Sequence, residues 1–196
     1  TQVDFTVLTI KLTEKQRVAA IALSGTPGGD GGAMIFDMED AALQDRSGNY
    51  MEEALSLVVN EVPDTVLPRI ISSGIDYTTG VLIISASETI DITPSSLVKL
   101  EKFSLNNVGT GNALKILLDG ASIESIDNTE ITLTLTEANR VLSLYLSGTP
   151  GGDGEALALE VLANAYQDIA GNKNLEDSAS QNTLNELPDV GNPNIT

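Results

Sequence analysis

The chain contains the same eight residues twice: Ser-Gly-Thr-Pro-Gly-Gly-Asp-Gly occupies 24–31 and again 147–154, 123 positions apart. The spacing holds well outside this block. Leu12, Thr13, Glu14, Arg17 and Val18 match Leu135, Thr136, Glu137, Arg140 and Val141, and Gln44, Asp45, Gly48 and Asn49 match Gln167, Asp168, Gly171 and Asn172. Further on, Glu61-Val62-Pro63-Asp64 answers to Glu186-Leu187-Pro188-Asp189, and Pro68 to Pro193, at an offset of 125. Two extra residues therefore lie between the blocks, and the loop after Asn172 is the expected place. Separate blocks repeated in one order are the mark of a duplicated domain.

The phase of the repeat constrains the organisation. Residues 1–66 correspond to the second part of the chain, whereas 67–123 have no earlier counterpart. The expected domains are a C-terminal half-repeat at 1–66, a complete repeat at 67–190 and the start of a further one at 191–196. A half-repeat leaves one apolar sheet face and several strand edges uncovered, which is an aggregation hazard. The expectation is that neither end is the natural end of a self-sufficient globule. The complement would come from neighbouring repeats of a longer chain or from other copies of it.

Composition narrows the function classes. Hydrophobic residues make up 41% of the 196 and aromatics 4%, so the core must be built from Val, Ile, Leu and Ala. A net charge of −18, with no basic cluster to offset it, repels phosphate backbones and anionic lipid. No nucleic-acid partner and no membrane insertion are expected, since no long apolar run occurs. The chain has no Cys and no His. Disulfides, thiolate or imidazole metal sites and Ser-His or Cys-His nucleophile pairs are thereby closed to it. Carboxylate pairs of the glycosidase kind are unpromising, because a repeat array duplicates structural turns far more readily than catalytic pairs. The expected protein is not an enzyme.

The local pattern is that of short strands. Residues 68–72 and 81–85 are β-branched runs around the turn signal Tyr77-Thr78-Thr79-Gly80, and predict a hairpin. Further extended stretches are expected at 89–92, 103–105 and 113–118, the last two divided by Gly109-Thr110-Gly111-Asn112. In residues 129–135 Ile131, Leu133 and Leu135 alternate with threonines, as in a half-buried strand. The period then changes: Thr13-Glu14-Lys15-Gln16 is a capping-box sequence, so each copy should hold one short helix ending near Gly25 or Gly148. Strands at 155–163 and towards Pro188 complete the repeat. The fold class expected is all-β, a two-sheet sandwich with one short helix per repeat.

The ordered set of Ser-Glu-Thr-Ile-Asp at 87–91, Ile-Thr-Leu-Thr-Leu-Thr at 131–136, a Gly-Gly turn and a closing Asp-x-x-Gly-Asn turn resembles the bacterial Ig-like tandem repeats of S-layer proteins, surface adhesins and surface filaments. The resemblance spans nearly the whole chain. It implies tandem Ig-like sandwiches with an extracellular, cell-surface role that is structural or adhesive, often with calcium.

Six carboxylates are candidate metal ligands. Asp45 and Asp168, in the Asp-x-x-Gly-Asn turns, suit calcium as hard oxygen donors; equally, each side chain can cap its own turn by accepting backbone N–H groups. Glu61, Asp64, Glu186 and Asp189 flank the prolines of the junctions between repeats. There they can converge on a cation or stand solvated beside a stiff linker. The Gly-Gly-Asp-Gly loops lack the Lys-Ser/Thr of a phosphate cradle and read as tight turns. Asn194-Ile195-Thr196 matches a glycosylation acceptor at chance frequency.

Two functions follow as expectations. The first is a structural filament or surface layer, a homopolymer or repeat array joined by strand edges or exchanged strands. The second is a stalk or binding module of a large adhesin. A lectin-like tip is disfavoured because Trp is absent and the four Tyr are scattered.

Overall fold

A computed structural model describes residues 7–107, 114–178 and 182–192 of the chain. The loop at 109–112, Pro193 and the acceptor triplet at 194–196 lie outside the described residues. The described part is β-rich, with strands in several sheets and two short α-helices. The chain divides into two compact units, Thr1–Asp64 and Thr65–Thr196.

Unit 1 holds helix α1 (Glu14–Ala22) and two strands, β1 (Ile35–Met38) and β2 (Ala54–Val58). Thr13 caps α1 with its backbone in the extended region, and the box is closed in both directions: Gln16 N donates to Thr13 Oγ1, and Gln16 Oε1 accepts from Thr13 N. β1 and β2 pair antiparallel, with Ile35 opposite Val58 and Met38 opposite Ala54. α1 buries none of its residues.

Unit 2 contains, in order, β3 (Ile70–Asp76), β4 (Val81–Ile90), β5 (Phe103–Asn107), β6 (Lys115–Leu117), β7 (Ser122–Ile123), β8 (Asn128–Thr134), helix α2 (Glu137–Tyr145), β9 (Leu157–Val161) and β10 (Asn185–Leu187). The hairpin of β3 and β4 turns through residues 77–80, where Gly80 takes a φ of 72° that side-chain-bearing residues rarely adopt. A five-stranded sheet runs β10-β3-β4-β8-β7, with β10 parallel to β3 and the other neighbours antiparallel. A three-stranded sheet runs β6-β5-β9.

Both sheets feed one core that is mainly aliphatic, as expected from the composition, except that its largest fully buried side chains are Tyr77, Tyr166 and Phe103. Ile75, Leu82, Ile84, Ile131 and Leu133 from the larger sheet join Phe103, Leu105, Leu157, Leu159 and Val161 from the smaller. The period of two is plain in β4, where Leu82 and Ile84 are buried and Ile83 between them is exposed. On the other side of the small sheet Lys115 pairs with Glu160, which also accepts from Ser104 and Asn106.

Several boundaries differ from the sequence expectations for local physical reasons. The helices end at Ala22 and Tyr145, ahead of the glycines, because Leu23 and Leu146 already leave helical geometry and cap the last carbonyls. The first half of the stretch expected at 89–92 is the end of β4, carried past a register shift between Ser85 and Ile90, and the strand stops before Asp91. The capping box is not duplicated in full. Thr136 accepts from Asn139 N, but the Asn139 side chain donates to Leu117 O instead of reaching back. The two inserted residues also move. Val161 bridges Asp177, as Met38 faces Ala54, at the offset of 123; Ala158 bridges Thr183, as Ile35 faces Val58, with the second partner now at 125. The insertion therefore lies between Asp177 and Thr183, beyond the loop after Asn172.

Candidate functional site

The site is built twice, once in each unit, where the helix and the glycine loop meet the segment that leaves the unit. In unit 1 the Arg17 guanidinium donates from Nε and Nη2 to Glu14, one helical turn back, and from Nη1 to Asp64 Oδ2 at 2.5 Å. In unit 2 Arg140 makes the same fork to Glu137, at 2.7 Å on both arms, and its Nη1 donates to Asp189 Oδ2 at 2.9 Å. The planar guanidinium suits this arrangement, since two parallel bonds fix its orientation and leave a third donor aimed across the gap. Arg140 Nη1 also donates to Tyr77 O, tying the β3–β4 turn into the network.

The glutamate three residues before each aspartate holds the glycine loop. Glu61 Oε2 accepts from Gly25 N and Oε1 from Met34 N. Glu186 Oε2 accepts from Gly148 N at 3.1 Å, while Oε1 accepts from the Tyr77 phenol. The loops themselves share one construction. Asp30 Oδ1 accepts from Gly32 N, and Asp153 Oδ1 from Glu155 N. The loop packs so closely that a Cβ on Gly152 would lie 2.1 Å from Ser147 O, and one on Gly29 2.1 Å from Ser24 O. These loops turn the chain, and the aspartate serves the turn.

The closing turns are Asx turns in both copies. Asp45 accepts from Ser47 N, Asn49 N and Asn49 Nδ2. Asp168 accepts from Asn172 N on one oxygen and Asn172 Nδ2 on the other. The Asn49 side chain, then backbone N–H groups of the turn, hold the Asp45 carboxyl below its ordinary pKa. Asp168 is fully buried and bridges Ile90, whereas Asp45 is exposed.

All six predicted ligands thus have protein donors. Glu61 and Asp64 are brought to the two faces of one junction, as are Glu186 and Asp189; Asp45 and Asp168 stand in separate turns. No three described carboxylates converge within unit 1 alone or within unit 2 alone. Gly191 N–H first, and Arg140 second, lower the Asp189 carboxyl. Arg140 is the chief cause of the lowering at Glu137.

Sequence reasoning missed the arginines and Tyr77. The signal for the arginines lies in the repeat itself, since Glu14, Arg17 and Asp64 recur together as Glu137, Arg140 and Asp189. Tyr77 carried no such signal, having no counterpart in unit 1. No helix among the described residues is long and apolar enough to cross a membrane. Comparison with protein-family models, with curated proteins and with solved structures returns no match.

Proposed function

We propose that this chain is a non-catalytic, extracellular structural protein whose Ig-like sandwich repeats run end to end and build a surface filament or surface layer. The observation that carries the reading is the duplicated junction. In each unit a fixed arginine fork and a fixed glutamate tie the helix and the glycine loop to the segment that precedes the next repeat, and a proline follows the glutamate by two positions. A carrier of ligand or chemistry has no need to duplicate such a tie; a load-bearing or spacing array needs it at every step.

Calcium belongs to this proposal as a stiffening ion at the acidic junctions and turns. At Asp64 and Asp189 it competes with Arg17 and Arg140, so its effect on the array is expected to be strongest where an arginine is lost. The partners are neighbouring repeats or further copies of the chain.

Electron microscopy of the native material, with and without a chelator, tests the reading. Ordered fibres or sheets support it, and their loosening on chelation supports calcium. Separate particles at every concentration would overturn assembly and favour an adhesin stalk.

A further inference from the structure

We propose that the open apolar face of unit 1 is the acceptor for a polypeptide segment of the residue 65–123 type, carried ahead of it on the same polypeptide. The proposal rests on the repeat reading above and adds what completes the half-repeat.

The repeat allows each side chain of unit 1 to be set against its counterpart in unit 2. Leu8, Ile10, Leu12, Leu23, Phe36 and Leu43 are between 41% and 62% exposed. Their counterparts Ile131, Leu133, Leu135, Leu146, Leu159 and Tyr166 are between 0% and 7% exposed. Unit 1 therefore carries a core-forming face that is exposed among the described residues. Scattered surface leucines are ordinary; six that coincide with the core positions of a second copy are not.

The backbone makes the same statement. β8 is hydrogen-bonded to β4, with Ile131 opposite Ile84 and Leu133 opposite Leu82. The matching residues 7–12 of unit 1 carry the same alternation, yet form no strand. β9 is paired with β5 along its whole length, whereas among the described residues its counterpart β1 has a strand partner, β2, on one edge only. One segment cures both defects. Residues 65–123 supply β4 to the first edge and β5 to the second, and their inward side chains cover the face between.

A second copy of this chain has no such segment to give, because its own β4 and β5 are spent on its β8 and β9. Covalent attachment ahead of the acceptor is favoured by the path in unit 2, where the covering segment passes directly from Ile123 into the residues leading to β8. Joining in this way keeps the closure entropy small and the effective concentration high.

The experiment compares the chain of 196 residues with a version in which residues 65–123 are added before Thr1, so that the added Ile123 joins Thr1, the counterpart of Glu124. Amide hydrogen exchange is read at Leu8, Ile10, Ile35 and Asp37, the counterparts of Ile131, Leu133, Ala158 and Glu160. The added segment is expected to slow these amides by at least about a hundredfold. A control carries Leu82→Asp and Ile84→Asp in the added segment only, and is expected to show no slowing. Amides of Ile131 and Leu133 report in every sample that unit 2 is folded. Unchanged exchange at unit 1 with unit 2 intact overturns the proposal. So does protection of these amides in the unextended chain that appears with dimer formation on sedimentation, since a second copy would then be the occupant. Micrographs of the same samples separate the two readings: slowed exchange without end-to-end order keeps the acceptor and removes the filament.

Discussion

The Tyr77 phenol donates to Glu186 Oε1 at 2.5 Å, and Glu61, the counterpart of that glutamate, receives Met34 N in its place. The same carboxylate thus does two jobs in unit 2. It holds the glycine loop after α2, and it fastens that loop to the β3–β4 hairpin, which unit 1 does not possess.

Replacing Tyr77 with Phe removes this donor and leaves one carboxylate oxygen without it. Unit 2 is expected to lose about 1–3 kcal/mol in urea unfolding at neutral pH. Burial first, and the Glu186 bond second, raise the Tyr77 hydroxyl above its ordinary value of 10.0. The folded state therefore keeps the phenol neutral after the unfolded state has ionised. Stability from this group is complete below about pH 10 and falls as pH rises further. Tyr166 is raised as well, by burial and then by the charge of Asp177, so Tyr77→Phe should reduce the alkaline slope without abolishing it.

Loss of Arg140 separates α2 from the exit segment. Arg140→Ala should destabilise unit 2 by about 1–3 kcal/mol, and Arg140→Lys should restore little, because a lysine cannot fork onto Glu137 while reaching Asp189. The acid limb of the stability curve provides a second readout. Glu137 and Asp189 are lowered in the folded state, so the stability they contribute is present above the ordinary carboxylate range and is lost as pH falls through it. That limb should be shallower in both variants.

Asp177 stands in a place that disfavours its charge. Burial is the chief cause that raises its carboxyl, and its counterpart in unit 1 is Ala54. Here the sign is opposite: the folded state prefers the protonated acid, so the group helps below the carboxylate range and costs stability as pH rises through it. Asp177→Asn should raise the thermal midpoint at pH 7 and leave it unchanged at pH 3.

Paired truncations distinguish the two copies. Leu159→Ala opens a cavity in a closed core and is expected to cost about 2–5 kcal/mol. Phe36→Ala, at the matching position on an open face, should change stability by less than about 1 kcal/mol. Circular dichroism melts of the two single variants are sufficient.

The elements legible in the sequence were those whose cause is local. The capping residues Thr13 and Thr136, the turn at 77–80, the Asx turns of Asp45 and Asp168 and the alternation of Ile131 and Leu133 each follow from side chains a few positions apart. The candidate acids were found, but not their partners, because Arg140 lies 49 residues from Asp189 and Tyr77 lies 109 from Glu186. Spacing within a window carries no information about such pairs. The parallel pairing of β10 with β3 was equally hidden. Three residues, Asn185, Glu186 and Leu187, show no alternation long enough to name a neighbour, and only tertiary packing chooses one.

That pairing gives unit 2 a direction of strength. Its first strand and its last lie side by side and point the same way, Asn185 beside Gly74 and Leu187 beside Asp76, and Tyr77 N donates to Leu187 O at the end of the run. Tension applied through the chain on either side of the unit pulls these two strands past one another. Their hydrogen bonds are then loaded in shear and must give way together, whereas a hairpin pulled at its open end unzips one bond at a time. The Tyr77 contact to Glu186 crosses the same seam, so the hydroxyl that fastens the glycine loop also sits on the clamp that resists extension of the unit.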